Sequence, residues 1–207
     1  MRGHFIALEG IEGVGKSTQV ARLAERLRAR GLDPLVVREP GGTPFAEEVR
    51  ALLLHKPHDL IAASELFLFQ AARADLTARV IRPALERGRT VLADRFELST
   101  RAYQAGGRGL PEGAVCTAIA LATGGLEPDL YVVLDVPVAT GRARQQAQGK
   151  DADRLEREDD AFHHRVAEAF RRAAGPNIVH VSASGASDAT EAAVWNAVTT
   201  RFLELAR

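Results

Sequence analysis

The segment GIEGVGKST, Gly10 to Thr18, follows the apolar stretch Phe5–Leu8 and precedes a long run of helical spacing. Gly10-x-x-x-x-Gly15-Lys16-Ser17 matches the phosphate-binding loop pattern, and the pattern functions between a strand and a helix. Glycines let consecutive backbone N–H groups turn inward around a phosphate, at a helix N-terminus whose dipole also favours negative charge. The loop thereby points to an α/β architecture. It nominates Gly10, Ile11, Glu12, Gly13, Val14, Gly15, Lys16, Ser17 and Thr18 as a phosphate cradle. Lys16 is expected to reach the β- and γ-phosphates, Ser17 to offer its hydroxyl to Mg²⁺, and Thr18 to cap or pack nearby. The alternative is a glycine-rich turn with no ligand.

The rest of the chain fits that architecture. Short apolar runs, HFIALE, PLVVRE, RTVLAD, LYVVLDV and NIVHVSA, alternate with longer amphipathic ones, as in a parallel sheet covered on both faces. Helices are expected from Lys16 to a stop at Gly31, over Phe45–Leu54, and over Ala62–Arg87 with a bend near Pro83. Others are expected over Glu112–Ala122, Val138–Gln148, Ala161–Ala173 and Asp188–Leu205. The loop-like segments are EPGGTP (39–44), QAGGRGLP (104–111) and QGKDAD (148–153). In such folds, loops at strand C-termini bind ligands.

Composition removes several function classes. The 207 residues carry 27 Lys+Arg against 27 Asp+Glu, so there is no global electrostatic footprint for nucleic acid or an anionic membrane. Arg22, Arg26, Arg28 and Arg30 are interleaved with Glu25 and read as a solvated helix face. Cys116 is the one cysteine, which leaves no disulfide or cysteine-rich zinc site and fits a reducing compartment; its apolar context places it in the core. Glu9 interrupts the N-terminal apolar run, and no stretch approaches ~18 apolar residues, so a cytoplasmic protein without nucleic-acid or membrane partners is expected.

A second acid belongs near the metal. Asp94, at the tip of TVLAD, is the preferred candidate, with Asp135 at the end of VVLD as its rival; either also suits a helix cap. A guanine-reading Asn-Lys-x-Asp segment is missing. Arg38 follows strand 2 and Arg95 follows strand 3, so both enter the ligand-binding crevice as a clamp for a monophosphate. Arg73 falls on the apolar seam of Leu66, Phe69, Leu76 and Val80, where a charge needs a partner or a ligand. Phe69 and Arg73, four apart, emerge on one helix face. They read equally as a stacking surface and donor for a flat base, or as a core Phe with an Arg paired to Glu65 or Asp75. One phosphate loop facing several arginines suggests a kinase for a phosphorylated small molecule.

The stretches EGIEGVGKST, REPGGT, LFQAAR and DRFELSTRAYQ followed by GGRGLP resemble, in order and spacing, the thymidylate kinase family. The resemblance runs from Phe5 to the C-terminal helix. It implies a single domain over residues 1–207 with a three-layer α/β/α P-loop kinase fold and a five-stranded parallel sheet. It implies conversion of dTMP to dTDP with MgATP, usually by a homodimer. By position, Arg38 and Arg95 would bind the dTMP phosphate, Phe69 would stack on thymine and Arg73 would bond its O4. Ser99, Thr100, Tyr103 and Gln104 would line the nucleoside pocket, with Tyr103 crowding the 2′ side of the sugar. Glu12 would lie near the 3′-hydroxyl and phosphate. Ser17 and Asp94 would serve the metal.

The family places catalytic arginines in a mobile lid when the phosphate loop lacks a basic residue at its variable positions, and here those positions hold Glu12 and Val14. The lid corresponds to about residues 141–160. Lys16, Arg95, Glu12, Arg154 and Arg144 are therefore the expected catalytic set, with Lys150 as an additional mobile charge, while Gln146 and Gln148 stand where arginine is expected. The alternatives are a nucleotide-binding protein of this fold with weak or no turnover, and a kinase for another nucleoside monophosphate.

Overall fold

A computed structural model describes residues 2–55, 58–147, 149 and 152–206. Five strands, β1 (Phe5–Glu9), β2 (Leu35–Arg38), β3 (Val91–Asp94), β4 (Leu130–Asp135) and β5 (Ile178–Ser182), form one parallel sheet in the order β2-β3-β1-β4-β5. Helices flank it in a three-layer α/β/α arrangement. Phe5, Ile6, Ala7 and Leu8 of central β1 are fully buried, as expected of a strand covered on both faces. The chain leaves β1 between neighbours β3 and β4, so the phosphate loop sits where the strand order reverses.

Helix α1 (Lys16–Arg28) starts at Gly15, whose φ of 101° lies in the left-handed region that glycine adopts without strain. Thr43 caps α2 (Pro44–Leu54) by accepting from the Ala46 amide, with proline in the first turn. The expected helix over 62–87 is present but divided. It runs as α3 (Ala62–Leu76), a π-helical turn (Thr77–Ile81) and α4 (Arg82–Glu86). Pro83 has no N–H to continue the ladder, and the widened turn lies just before it.

The expected loop over 104–111 is helical through Gly107. Here α5 (Glu97–Thr100) continues as a π-helical segment, Arg101–Gly107. Its glycines meet α8 (Asp160–Arg172): a Cβ on Gly107 would lie 2.5 Å from the Phe162 ring, and one on Gly106 2.8 Å from the Ala169 Cβ. Close packing, not flexibility, explains them. The remaining helices are α6 (Glu112–Thr123), α7 (Val138–Gln146) and α9 (Ser187–Arg201), the last followed by a 3₁₀ turn, Leu203–Ala206. Cys116, expected in the core, is only half-buried on α6. Gln148 and Lys150 lie outside the described residues.

Candidate active site

Sheet register brings the ends of three strands together. Leu8 and Arg38 both pair with Asp94 across β3, so the phosphate loop, the Arg38–Pro40 exit and Asp94–Arg95 open onto one side of the sheet end. There they border a cleft of about 390 Å³, completed by Phe69 and Arg73 of α3 and by Ser99, Thr100, Tyr103 and Gln104. The expected acceptor residues and the expected phosphate loop thus share one cavity.

The loop is shaped by glycine and by its neighbour α7. Gly10, Gly13 and Gly15 have φ of 134°, 69° and 101°, and a Cβ on Gly13 would lie 2.0 Å from the Gly141 carbonyl oxygen. Lys16 is buried and its Nζ donates to the Gly10 and Ile11 carbonyls at 3.1 and 2.8 Å. Burial, with the Arg95 guanidinium nearby, pulls its pKa down to about 8. Ser17 Oγ donates to Asp94 Oδ2 at 2.5 Å. Asp135 instead sits 3.5 Å from Arg171. The geometry therefore pairs Ser17 with Asp94, not with its rival. Thr18 is exposed on α1.

Arg95 is the one described residue other than glycine with positive φ, at 73°, a conformation that costs about 1–3 kcal/mol and clusters at functional sites. It donates to the Gly10 carbonyl (3.0 Å), Ser99 Oγ (2.9 Å), Glu12 Oε1 (3.2 Å) and the Tyr103 hydroxyl (3.2 Å). Burial works against its charge, but Tyr103, Glu12, Glu9 and Asp94 outweigh it and raise its pKa. The Tyr103 hydroxyl also donates to Glu12 Oε1. Burial opposes the Glu12 charge, yet Arg95, Lys16 and Tyr103 hold its carboxyl below the ordinary range. Its other oxygen, Oε2, is buried without a hydrogen-bond partner among the described residues.

Glu9 supports this corner from below. Its carboxylate accepts from the Phe96 and Ser99 amides and the Ser99 hydroxyl, at 2.8, 3.2 and 2.6 Å, holding the turn that carries Arg95. Complete burial lifts its pKa from 4.5 to about 7 against these bonds. Because the folded chain then holds a proton that the unfolded chain releases, the stabilisation is full below pH 4.5 and is lost as pH rises to about 7. At roughly 1.4 kcal/mol per pKa unit, this amounts to about 3 kcal/mol. Urea denaturation at pH 5 and pH 8 is expected to show the loss, and Glu9→Gln to flatten it. An equal decline in the variant would contradict this assignment.

Arg73 resolves differently from either pairing that the seam suggests. It is only 2 % exposed and binds neither Glu65 nor Asp75. Its Nε and Nη2 engage Glu39, its second Nη2 proton goes to the Phe96 carbonyl, and Nη1 donates to Gln70 Oε1 and Thr100 Oγ1. All five N–H groups are engaged, so the guanidinium is held in place, over the Phe96 ring at 5.3 Å from its centroid and lining the same cleft as Phe69. Burial raises the Glu39 pKa despite that partner.

Arg38, half-exposed, pairs with Glu47 at 2.9 Å on the rim of the cleft. Arg50, absent from the sequence-based set, is a fourth guanidinium there beside Arg38, Arg73 and Arg95; its Nη1 donates to the Pro40 carbonyl at 2.8 Å. Its signal is the one that singles out Arg73: it lies four residues after Ala46 and three before Leu53, at the edge of a buried helical seam. Burial and Arg38 lower its pKa.

Arg144 and Arg154, expected as lid arginines, do not join this group. Arg144 donates to the Ala183 carbonyl at 3.0 Å, and Arg154 donates to the Leu53 carbonyl at 2.8 Å and pairs with Glu65 at 2.6 Å. Their neighbours Gln145, Asp153, Leu155 and Glu156 line the cleft instead. Gln146 faces solvent.

Among the described residues, no group of three or more His, Cys, Asp or Glu is arranged to hold a metal. Mg²⁺ needs no such cage, since it keeps waters and takes one or two protein oxygens beside substrate phosphates. Adjacent hydroxyl and carboxylate oxygens at Ser17 and Asp94 suit that mode. Among the described residues, no helix is long and apolar enough to cross a membrane.

A phosphate loop at the switch point of a parallel sheet, faced across one cleft by guanidinium groups and an aromatic ring, defines a P-loop phosphotransferase of the nucleoside monophosphate kinase class. A family model described as thymidylate kinase matches residues 8–194. Proteins named thymidylate kinase are similar over most of their length. That of Rhizorhabdus wittichii is 52 % identical over 176 residues, 84 % of this chain and 85 % of the relative. That of Pseudomonas fluorescens is 52 % identical over 179 residues, covering 85 % of each. That of Deinococcus radiodurans is 45 % identical over 203 residues, 97 % of this chain and 98 % of the relative. The chain belongs to the thymidylate kinase family.

Proposed function

We propose that this chain transfers the γ-phosphoryl group of ATP to dTMP, forming dTDP. The observation that carries the reading is that Phe69, Arg73 and Arg95 share one cleft with Lys16 and the phosphate loop. The loop amides and Lys16 would hold the triphosphate, and Arg38, Arg95 and Arg50 the acceptor phosphate. Phe69 would stack on thymine beside Arg73. The unpartnered Glu12 Oε2 suits a donor such as the 3′-hydroxyl of a deoxynucleotide, and the Tyr103 ring, held by Arg95 and Glu12, would close the 2′ side. Ser17 and Asp94 would serve Mg²⁺, which supplies neutralisation of phosphate charge when bound.

The acceptor phosphate is already a nucleophile at neutral pH, so this chain's residues align two polyanions and offset charge rather than remove a proton. Because all five Arg73 N–H groups are engaged, a donor reaches a base carbonyl only by sharing an N–H with one of its present acceptors or by displacing that acceptor. Thymine differs from uracil by one methyl, worth about 1–3 kcal/mol in a tight pocket, so dUMP should be a poor substrate rather than an excluded one.

One observation favours a second reading, nucleotide binding with weak turnover: Arg144 and Arg154 are both engaged away from the cleft. A steady-state panel with MgATP and dTMP, dUMP, UMP or AMP separates the readings. We expect dTMP to be turned over best. Binding of ATP and dTMP without dTDP would favour the second reading, and preferential use of another monophosphate would overturn the acceptor assignment.

A homodimer would use α3 with the helices packed on it, α2 and α6, which carry the exposed Phe67, Phe45 and Leu121, with exposed Ile61 just before α3. Exposed apolar groups on adjoining helices mark an interaction surface. Phe67 is 65 % exposed, and Phe67→Glu is expected to convert a dimer to monomer in light scattering. A wild-type monomer at micromolar concentration would contradict this. A cytoplasmic site of action accords with a free thiol at Cys116.

A further inference from the structure

One fully buried acid near the cleft belongs to neither the phosphate loop nor the arginine clamp. Glu65 of α3 is 0 % exposed. Its Oε1 accepts from Gln104 Nε2 at 2.9 Å and Arg108 Nε at 3.1 Å, while Oε2 accepts from Arg108 Nη2 at 2.9 Å and pairs with Arg154 Nη2 at 2.6 Å. Burial opposes its charge, but the bonds from Arg108 and Gln104 outweigh burial and lower its pKa. An ionised carboxylate only accepts hydrogen bonds. The end of the Gln104 amide that faces it must therefore be the NH₂ group.

That requirement fixes the other end. Gln104 lines the cleft, and its Oε1 accepts no hydrogen bond from the described residues. On its own, a glutamine amide presents either a donor or an acceptor by turning over, and so distinguishes poorly between bases that differ in polarity. Locked by Glu65, the amide cannot turn over, so Nε2 stays on the side of the carboxylate and the carbonyl oxygen stays on the other.

We propose that Glu65 is a positioning residue for base selection: by fixing the Gln104 amide it presents an acceptor to the bound base, which selects a 4-oxopyrimidine with a ring N–H over a 4-aminopyrimidine. The proposal rests on the reading of this cleft as the acceptor-base pocket. A 4-aminopyrimidine would set its bare ring nitrogen against the Gln104 oxygen, leaving two acceptors facing each other without a proton. A site built to hydrogen-bond one polarity rejects the other far more strongly than a missing methyl is rejected, because buried polar groups are left unpaired.

The experiment compares kcat/KM for dTMP and dCMP. Glu65→Gln keeps the shape of the side chain but lets it donate as well as accept, so the Gln104 amide is free to turn. The dTMP-to-dCMP ratio is expected to fall at least tenfold, through KM for the monophosphates, with KM for ATP within twofold of wild type. Gln104→Leu should lower the ratio too, and Glu65→Gln should then have no further effect in that background. Arg108→Gln alone, which leaves the Glu65–Gln104 bond, should keep the ratio. Should Glu65→Gln fail to fold because it strands two arginines, E65Q/R108Q is judged by the same criteria. A ratio within twofold of wild type in the Glu65 variant, alongside a clear fall in Gln104→Leu, overturns the role of Glu65 alone. No change in Gln104→Leu overturns the base-pocket reading and the inference with it.

Discussion

Lys16→Ala is expected to reduce phosphoryl transfer by about 10²–10³-fold or more, the scale seen when a preorganised charge aimed at a transition state is removed. The fold should survive. Among the described residues, Lys16 Nζ bonds only to the Gly10 and Ile11 carbonyls, and Gly10 keeps a second donor in Arg95. Deletion also removes a buried cation whose pKa burial, with Arg95 nearby, brings down to about 8. Circular dichroism melting should therefore stay near wild type while kcat collapses. Retention of more than a tenth of wild-type turnover would contradict the placement of Lys16 at the transferred phosphate.

Arg73→Ala has a double cost. The substitution strands Glu39, 7 % exposed and bonded to the guanidinium through two nitrogens, as a buried unpaired carboxylate. Breaking such a pair destabilises by about 3–5 kcal/mol. The loss should shrink as pH falls, because the stranded carboxyl can take up a proton and leave no buried charge. At the site, calorimetry is expected to show dTMP affinity lost and ATP affinity within a few-fold of wild type, since among the described residues none of the Arg73 hydrogen bonds goes to the phosphate loop. Equal weakening of both nucleotides would mean that Arg73 acts through the fold, not through the acceptor pocket.

What sequence makes legible here follows from how local each signal is. The phosphate loop, the strands and most helices are written in contiguous glycine placement and apolar periodicity, and these agree with the observed elements to within a residue or two at most boundaries. The helix through Gly107 is hidden because its glycines serve contacts with Phe162 and Ala169, more than fifty residues away. Likewise, Arg73 on an apolar seam signals that a partner exists, but Glu39 lies just past β2, thirty-four residues earlier, and only the fold brings it near. Arg50 carries the same seam signal in weaker form. Glu65 reads as an ordinary first-turn acid of α3 until the fold surrounds it with Gln104, Arg108 and Arg154.

The stretch where the resemblance implies a lid is the hardest part to read from sequence, because the partners of Arg144 and Arg154 lie on distant parts of the chain. Arg154 is engaged here by Glu65 and the Leu53 carbonyl, so its use at the phosphates requires a different arrangement of residues 152–160. Its exchange would release one of the cations that Glu65 holds.

The central claim is that two nucleotides meet in one cleft, and a crystal structure with dTMP bound tests it most directly. Thymine is expected against the Phe69 ring with its C4 edge toward Arg73, and the phosphate within hydrogen-bond reach of Arg95 on the side facing Lys16. A nucleotide lodged outside that cleft, with Phe69 and Arg95 untouched, would contradict it.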